Sequence, residues 1–347
     1  MSAPGADDTW PLRWGQGGLP DAPQRMLLVQ ISAMGDQVQT LAAVSDIAAR
    51  WPQLQIDWAV DSRFAQIPEL HPRVRHVFAL PLKALQRAPG DGAAWRALLG
   101  ALRGVRAQRY DVVWDPHGSL KSALVARAAR SALRVGYRAA DCGGEPLAAR
   151  AYRLHFARPP GVHGTEGRRR FAAAVFDTDP ARPIDYGIRD AFGTACAARY
   201  AVLAHGASKP EKLWPQANWK QLGDGLIALG LQLVLPWGNE AERARAAALV
   251  AAWPAGSARL AEPGDLRSMA ALLAGSSLVV GLDTGFSHLA GAMRRPLVML
   301  FTSTGADLFS AEDLQLARTL GGNGTVPTPE AALDAARQLL GAGRAAG

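Results

Sequence analysis

Cysteine, long apolar runs and charged residues are all scarce in this sequence of 347 residues, and each scarcity excludes a class of protein. The two cysteines, Cys142 and Cys196, argue against a disulfide framework or a cysteine zinc site. No apolar run approaches the roughly 18–20 residues that a membrane-spanning helix needs. Charged residues make up 20% and hydrophobic residues 49%, which excludes a disordered chain and supplies enough apolar surface for sizeable cores.

The first 25 residues are rich in proline and glycine and lack the apolar core of a signal peptide. We therefore expect a flexible N-terminal extension and a cytoplasmic protein. The chain length is long for one domain and suits two.

Positive charge is concentrated in the first half of the chain. Residues 51–200 contain 23 Lys and Arg against 13 Asp and Glu, whereas residues 201–347 contain 12 of each. This asymmetry favours an anionic partner, which is a nucleic acid, a membrane surface or an anionic acceptor. Nucleic acid is disfavoured because the basic region has no clear cluster interleaved with aromatic residues. Solvated arginines on helix surfaces are the alternative explanation.

Short apolar runs alternate with helical patterns along most of the chain, which predicts an α/β protein with parallel sheets. The strands are predicted near residues 26–31, 55–60, 74–80, 111–115, 133–137, 200–205, 231–236, 278–282 and 297–301. The alternation is lost over residues 158–198, so we place a domain boundary near residue 185. The predicted parts are an extension (1–25), two doubly wound Rossmann-like domains (26–185 and 186–328) and a C-terminal helix with a tail (329–347).

Two doubly wound domains would enclose a cleft, and ligands of such sheets lie beyond the carboxyl ends of the strands. Asp36 follows the first predicted strand and starts a helix. It is either a helix cap or a general base that takes a proton from an attacking hydroxyl.

The predicted strand near 278–282 also ends in a glycine turn and a helix, within Gly281–His288. Backbone N–H groups of Thr284 and Gly285 at that helix start would bind a pyrophosphate, and His288 adds a donor. A capped helix with a buried histidine is the alternative. The loop has no GxGxxG pattern, which disfavours a nicotinamide dinucleotide.

Three further loops carry polar side chains after predicted strands. Ser208 and Lys212 follow the strand near 200–205 and would reach leaving phosphates, with Lys212 offsetting the charge that develops there. Glu242 or Glu240, at the start of another helix, would bind ribose hydroxyls. Lys121 follows the strand near 111–115 and would line the acceptor side. In each case an exposed loop or the N-terminal turn of a helix is the alternative.

Five short motifs together resemble the ADP-heptose:lipopolysaccharide heptosyltransferases, above all the heptosyltransferase I group. They are SAMGD (32–36), DPHGSLKS (115–122), KLWP (212–215), LPWG (235–238) and DTGFSHL (283–289), in the family's order and across most of the chain.

The resemblance implies a GT-B fold and metal-independent, inverting transfer of heptose from ADP-heptose to the Kdo of Kdo-lipid A. It implies no cofactor, and a place on the anionic cytoplasmic face of the inner membrane. Asp36 would be the base and Lys212 would lie near the leaving diphosphate. The implied donor-binding residues are Ser208, Lys212, Glu242, Asp283, Thr284, Gly285 and His288. The implied acceptor contacts are Arg63, Lys83, Arg87 and Lys121.

Other functions remain open on the sequence alone. A relative with another acceptor, such as the second core heptose or a protein, would keep the same motifs. A nucleotide-sugar epimerase needs an acid/base pair around the donor sugar, and no such pair is assignable. A binding module without catalysis is disfavoured by the presence of Asp36, Lys212 and Asp283.

Overall fold

The computed structural model describes residues 14, 20–158, 161–162, 164–192, 199–207, 209–303, 316–322 and 324–345. The chain divides into two units, Met1–Gly187 and Ile188–Gly347. Each unit is built on one six-stranded sheet. The α/β class with two doubly wound domains, predicted from the alternation of strands and helices, is confirmed.

Parallel strands in the spatial order β3-β2-β1-β4-β5-β6 form the sheet of the first unit. In β1 the last four of five residues are buried and apolar, as expected for a parallel strand that is covered on both faces. The strands are β1 (Arg25–Val29), β2 (Gln55–Asp61), β3 (Val74–Leu80), β4 (Arg109–Trp114), β5 (Arg130–Tyr137) and β6 (Leu154–Phe156). The helices are α1 (Met34–Arg50), α2 (Gln66–Glu69), α3 (Leu82–Arg87), α4 (Gly92–Ala107), α5 (Leu120–Ala128) and α6 (Gly164–Phe176).

Helix α6 lies in the stretch where no regular structure was predicted, and it packs against α1. Its buried face includes Gly167 and Arg169 as well as Phe171, so the apolar period that announces a helix is interrupted. The Arg169 guanidinium binds the Asp46 carboxylate on α1, with 2.6 Å between Nε and Oδ2. Burial raises the pKa of Asp46, although Arg169 opposes this effect.

Aromatic rings join α6 to the sheet. Trp114 at the end of β4 makes edge contacts with Phe171 and Phe176, with ring centroids 5.6 and 5.9 Å apart. Trp14, which belongs to the predicted N-terminal extension, stacks on Phe176 and contacts Trp51. Most of that extension lies outside the described residues, so its predicted flexibility stays a prediction.

The second unit repeats the arrangement with parallel strands in the order β12-β11-β10-β7-β8-β9. Its strands are β7 (Tyr200–Ala204), β8 (Gln232–Leu235), β9 (Ala258–Leu260), β10 (Leu278–Leu282), β11 (Leu297–Phe301) and β12 (Ala317–Gly321). Its helices are α7 (Gln216–Ala228), α8 (Glu240–Ala251), α9 (Leu266–Ala274), α10 (Gly285–Ala292) and α11 (Pro329–Ala345). Helix α11 packs on α7 and on β10–β12, so this helix extends the second unit.

Among the described residues, no helix combines the length and the apolar character needed to cross a bilayer.

A buried histidine makes the stability of the first unit depend on pH. The His71 ring contacts two groups: the Ser45 hydroxyl lies 3.0 Å from His71 Nε2, and the backbone N–H of Arg73 donates to His71 Nδ1. Burial lowers the pKa of His71 to about 4, against an opposing effect of Asp185. The unfolded chain therefore takes up a proton near pH 6.5, while the folded chain stays neutral until about pH 4.

We predict that lowering the pH from 7 to 4.5 lowers the free energy of unfolding by about 2–3 kcal/mol through this histidine. The unfolded state binds a proton over this range and the folded state does not. His71→Gln should remove that part of the pH dependence in denaturant titrations at the two pH values. His76→Gln, at an exposed position of β3, is the control and should keep the wild-type slope. An unchanged slope in His71→Gln would contradict the assignment.

Candidate functional site

Each sheet has a point where the direction of winding reverses. In the first unit, the chain proceeds from β1 through β2 to β3 on one side, and from β4 through β5 to β6 on the other. In the second unit, β7 and β10 are the corresponding neighbours. The loops that follow these paired strands diverge in opposite directions and leave space for a ligand. Asp36 and Lys121 in the first unit, and Lys212 and Asp283 in the second, lie in these loops or in the first turns of the helices that follow them.

Asp36 lies in the first turn of α1, directly after β1. Its Oδ2 accepts a hydrogen bond of 2.8 Å from the Ala33 backbone N–H, and its Oδ1 accepts one of 2.5 Å from Arg168. The carboxylate is fixed from two sides, yet 39% of the side chain is exposed. Both interpretations of Asp36 are therefore compatible with its position: it caps a helix, and it presents a carboxylate to solvent.

Arg168 was not identified from the sequence as a site residue. It projects from α6 and also donates to Gln39 and to the Gly164 carbonyl, with only 12% of its side chain exposed. Within the run Arg168–Arg170, one arginine binds Asp36, the next is buried against Asp46 and the third is exposed. Helical spacing separates these three environments, and no helix had been predicted there.

The loop after β4 contributes a buried carboxylate and a histidine near Asp36. Asp115 is fully buried and accepts hydrogen bonds from the backbone of His117 and Gly118 and from the Tyr152 hydroxyl at 2.7 Å. Burial raises the pKa of Asp115 despite these bonds. Burial likewise lowers the pKa of His117, although Asp115 and Asp36 attract its proton. Gln30, just after β1, lies 2.9 Å from His117 Nδ1 and so connects the two loops.

The predicted acceptor residues divide between two places. Arg63, after β2, donates to Asp61 at 2.8 Å, and the backbone N–H of Lys83 donates to the same carboxylate at 3.0 Å. Arg87 is exposed in the last turn of α3, the helix that carries Lys83. Lys121 is exposed in the first turn of α5. Asp61 thus brings Arg63 and Lys83 together, while Lys121 lies on a helix that follows a different strand.

In the second unit, Lys212 and His288 both contact the Asp283 carboxylate. Lys212 Nζ lies 2.7 Å from Oδ2, and His288 Nε2 lies 3.5 Å from Oδ1. Burial alone raises the pKa of Asp283, but hydrogen bonds from His288 and Lys212 outweigh it and hold that pKa below its usual range. A cation after β7 and a carboxylate after β10 therefore meet at the switch point.

The start of α10 adds hydrogen-bond donors beside this cluster. Thr284 directly precedes the helix and Gly285 is its first residue, so N–H groups of the first turn have no partner within the helix. The Thr284 Oγ1 is buried without a hydrogen-bond partner among the described residues. Gly281 permits the turn, because a Cβ there would lie 2.3 Å from the Ser287 hydroxyl oxygen. The arrangement suits an anion that accepts several hydrogen bonds.

Glu242 lies on the other side of β7. Its Oε2 accepts a bond of 2.7 Å from the Gly238 N–H, and its own N–H donates to the Asn239 side chain that caps α8. Glu242 is packed against Gly206, where a Cβ would lie 2.9 Å from the carboxyl carbon. The carboxylate is thereby held beside the loop that follows β7. Ser208, predicted in the same loop, lies outside the described residues.

The described residues contain no group of three or more His, Cys, Asp or Glu side chains arranged to hold a metal ion.

Two parallel six-stranded units, each with charged side chains at its switch point, are the architecture of α/β proteins that bind ligands at the carboxyl ends of their strands, the GT-B glycosyltransferases among them. A model of glycosyltransferase family 9 (heptosyltransferase) matches residues 99–318. Lipopolysaccharide heptosyltransferase 1 of Pseudomonas aeruginosa is 37% identical over 287 residues, which are 81% of this chain and 79% of that protein. Lipopolysaccharide heptosyltransferase 1 of Escherichia coli K12 is 34% identical over 289 residues, 81% of this chain and 88% of that protein.

A solved structure of a heptosyltransferase is also similar to this chain. E. coli heptosyltransferase WaaC with ADP-2-deoxy-2-fluoro heptose matches 91% of this chain and 99% of its own, with a TM-score of 0.79 and 29% identity. The chain belongs to glycosyltransferase family 9, the heptosyltransferases. The enzyme class implied by the five motifs is confirmed; the roles of the individual site residues remain predictions.

We predict that Lys212→Met raises the pKa of Asp283, because it removes the ammonium group that, together with the hydrogen bond from His288, holds this carboxylate ionised. NMR titration of carboxyl-labelled aspartate would measure the change. Lys209→Met is the matched control, since Lys209 pairs at 3.9 Å with Glu211 instead. An Asp283 pKa that stays low in Lys212→Met would mean that the interaction with His288 suffices.

Proposed function

We propose that this enzyme transfers L-glycero-D-manno-heptose from ADP-heptose to the Kdo of Kdo-lipid A, in the synthesis of the lipopolysaccharide inner core. The observation that carries the proposal is the polar cluster at the β7/β10 switch point. There a lysine, a histidine and an unpartnered threonine hydroxyl adjoin the N-terminus of α10. These groups suit the diphosphate of a nucleotide sugar. The identities to heptosyltransferase 1 proteins support heptose as the sugar.

The donor would bind to the second unit alone. Thr284, Gly285 and the first turn of α10 would bind the diphosphate, with Ser208 as a further donor. Glu242, held beside Gly206, would accept hydrogen bonds from the ribose hydroxyls.

The chemical step needs a base and a stabilised leaving group. The acceptor hydroxyl oxygen attacks the anomeric carbon, and the bond from that carbon to the diphosphate oxygen breaks. Asp36 takes the hydroxyl proton, and the electron pair of the broken bond leaves on ADP. Lys212 neutralises the charge that grows on the departing diphosphate. One displacement inverts the anomeric configuration, and no step in this scheme uses a metal or a cofactor.

The acceptor would contact the first unit. Arg63, Lys83, Arg87 and Lys121 are the candidates, since Kdo-lipid A carries carboxylates and phosphates. The surplus of ten basic residues over residues 51–200, 23 against 13, also supports peripheral attachment to the anionic face of the inner membrane.

A transfer assay with the purified full-length protein tests the proposal. ADP-heptose and Kdo₂-lipid A are supplied together, and ADP release is measured. Activity that requires a Kdo acceptor already bearing one heptose would instead indicate addition of the second core heptose. Release of no ADP with either acceptor would refute both versions.

We predict that Asp36→Asn lowers turnover at least about 100-fold, because an amide cannot accept the proton. ADP binding, measured by calorimetry, should stay near normal. Asp91→Asn provides a matched control: Asp91 caps α4 through the N–H groups of Ala93 and Ala94, and asparagine caps comparably. If Asp36→Asn kept most of its turnover, Asp36 would be a cap only.

We further predict that Lys212→Ala lowers kcat more than it weakens ADP binding, because its charge matters most when the diphosphate leaves. Steady-state kinetics and calorimetry give the two quantities, and Lys209→Ala is the control. A rise in KM at unchanged kcat would show that Lys212 binds only the ground state.

A further inference from the structure

A cluster of large hydrophobic side chains is exposed on one part of the first unit. Its members lie on α4, on α5 and on the short 3-10 helix Pro146–Ala151, and we call them the α4–α5 face. They are Trp95, Leu99, Leu120, Leu124 and Leu147, each between 40% and 68% exposed. Helix α5 contacts both α4 and the 3-10 helix. Among the described residues, only Val326 is a comparably exposed large hydrophobic side chain elsewhere.

The exposure follows from the helical pattern and does not reflect frayed ends. On α4, the buried positions Ala94, Leu98 and Val105 face the sheet. Trp95 and Leu99 are four residues apart, so they project together from the neighbouring flank. Leu120 and Leu124 repeat that spacing on α5, so each helix has more apolar surface than its contact with the sheet uses.

Positive charge predominates around these side chains; the two carboxylates beside the face, Asp91 and Glu145, accept hydrogen bonds from N–H groups at the starts of α4 and α5. Helices α4 and α5 together contain five basic residues and no acidic residue. They are Arg96, Arg103, Arg106, Lys121 and Arg127. In the described part of the chain, none of the five forms an ion pair. A protein partner with mixed charge would leave most of these cations uncompensated, whereas an anionic bilayer compensates them all.

The face lies toward the end of the sheet at which Asp36 is found. Helix α4 ends two residues before β4 begins, so its last turn is at the amino end of the strands. Its 16 residues extend about 24 Å at 1.5 Å per residue, which places Trp95 in the first turn at the carboxyl end and Leu99 about halfway along the helix. Leu120 starts α5 soon after β4 ends, at the same end of the sheet.

We propose that the α4–α5 face docks on an anionic lipid bilayer. Its tryptophan and leucines enter the headgroup region, while the surrounding arginines and Lys121 contact lipid phosphates. The proposal rests on the function proposed above, because an acceptor anchored in a bilayer is what requires Asp36 to lie near the membrane. It adds which surface makes the contact, and that apolar insertion contributes as well as charge.

Paired substitutions on the face test the apolar part. Leu99→Gln with Leu124→Gln should lower partition onto vesicles of phosphatidylethanolamine and phosphatidylglycerol (3:1) roughly tenfold, since two leucines lose their contact with lipid. The loss should persist at 1 M salt. Glutamine is a good helix former, so folding is preserved. Val326→Gln is the control, a similarly exposed valine of the second unit, and should stay within about twofold of wild type.

A second pair tests the charge. Arg96→Gln with Arg103→Gln should lower partition by an order of magnitude or more at low salt, about fivefold for each charge. The effect should vanish at 1 M salt, where the Debye length is about 3 Å. Arg243→Gln with Arg337→Gln changes the net charge equally in the second unit and is the control.

Wild-type partition by both α4–α5 variants would overturn the proposal. So would a change in their sedimentation without a change in vesicle binding, because the face would then join two copies of the chain. ADP release with deacylated, water-soluble Kdo acceptor is measured in parallel. If the two double variants release ADP as wild type does and also bind vesicles as wild type does, only the docking face is refuted. If the wild-type protein releases no ADP with any acceptor, the proposed function is refuted.

Discussion

A carboxylate that is partly buried at the end of a parallel strand needs a cation, and both switch points depend on such a pair. Asp283 is held by Lys212 and His288 in the second unit. Asp36 is held by Arg168 in the first. A parallel sheet places the carboxyl ends of adjacent strands side by side, so groups far apart in sequence meet there. Lys212 and Asp283, which are 71 residues apart, meet in this way. Asp36 and Arg168, which are 132 residues apart, meet because α6 packs against α1.

The two pairs differ in what they leave available for chemistry. The Lys212 ammonium contacts the Asp283 carboxylate, so a diphosphate bound as proposed would compete with that carboxylate for the same charge. The Asp36 carboxylate is more exposed than its arginine partner, 39% against 12%. Arg168 therefore orients the carboxylate from the protein side and leaves the other side open. An open side is what the proposed base would need, and the bond from the Ala33 N–H is what a cap would need, so Asp36→Asn has to decide between them.

Most strands and most of the candidate site residues could be predicted from the sequence, because both depend on patterns among neighbouring residues. Asp36, Lys212, Glu242 and Asp283 all follow apolar runs of strand length, and a strand followed by a glycine turn and a helix is readable from neighbouring residues. Elements without a clean period were missed. Strands β6 and β9 have three residues each, too few to show alternation. In α6 the buried stripe contains a glycine and an arginine, and the arginine is tolerated inside only because Asp46 on α1 pairs with it.

Arg168 illustrates the limit most clearly. Its role depends on two facts that sequence neighbours do not contain: that α6 is a helix, and that it packs against α1. Once α6 is known, helical spacing separates the three consecutive arginines into three environments. The same reasoning applies to the exposed leucines of α4 and α5. In sequence they look like core residues, and only their position on the solvent side of a packed helix shows that the core does not use them. Apolar surface beyond what the core requires then calls for a partner. The positive charge around it indicates which kind, and its place at the carboxyl end of the sheet relates that partner to Asp36.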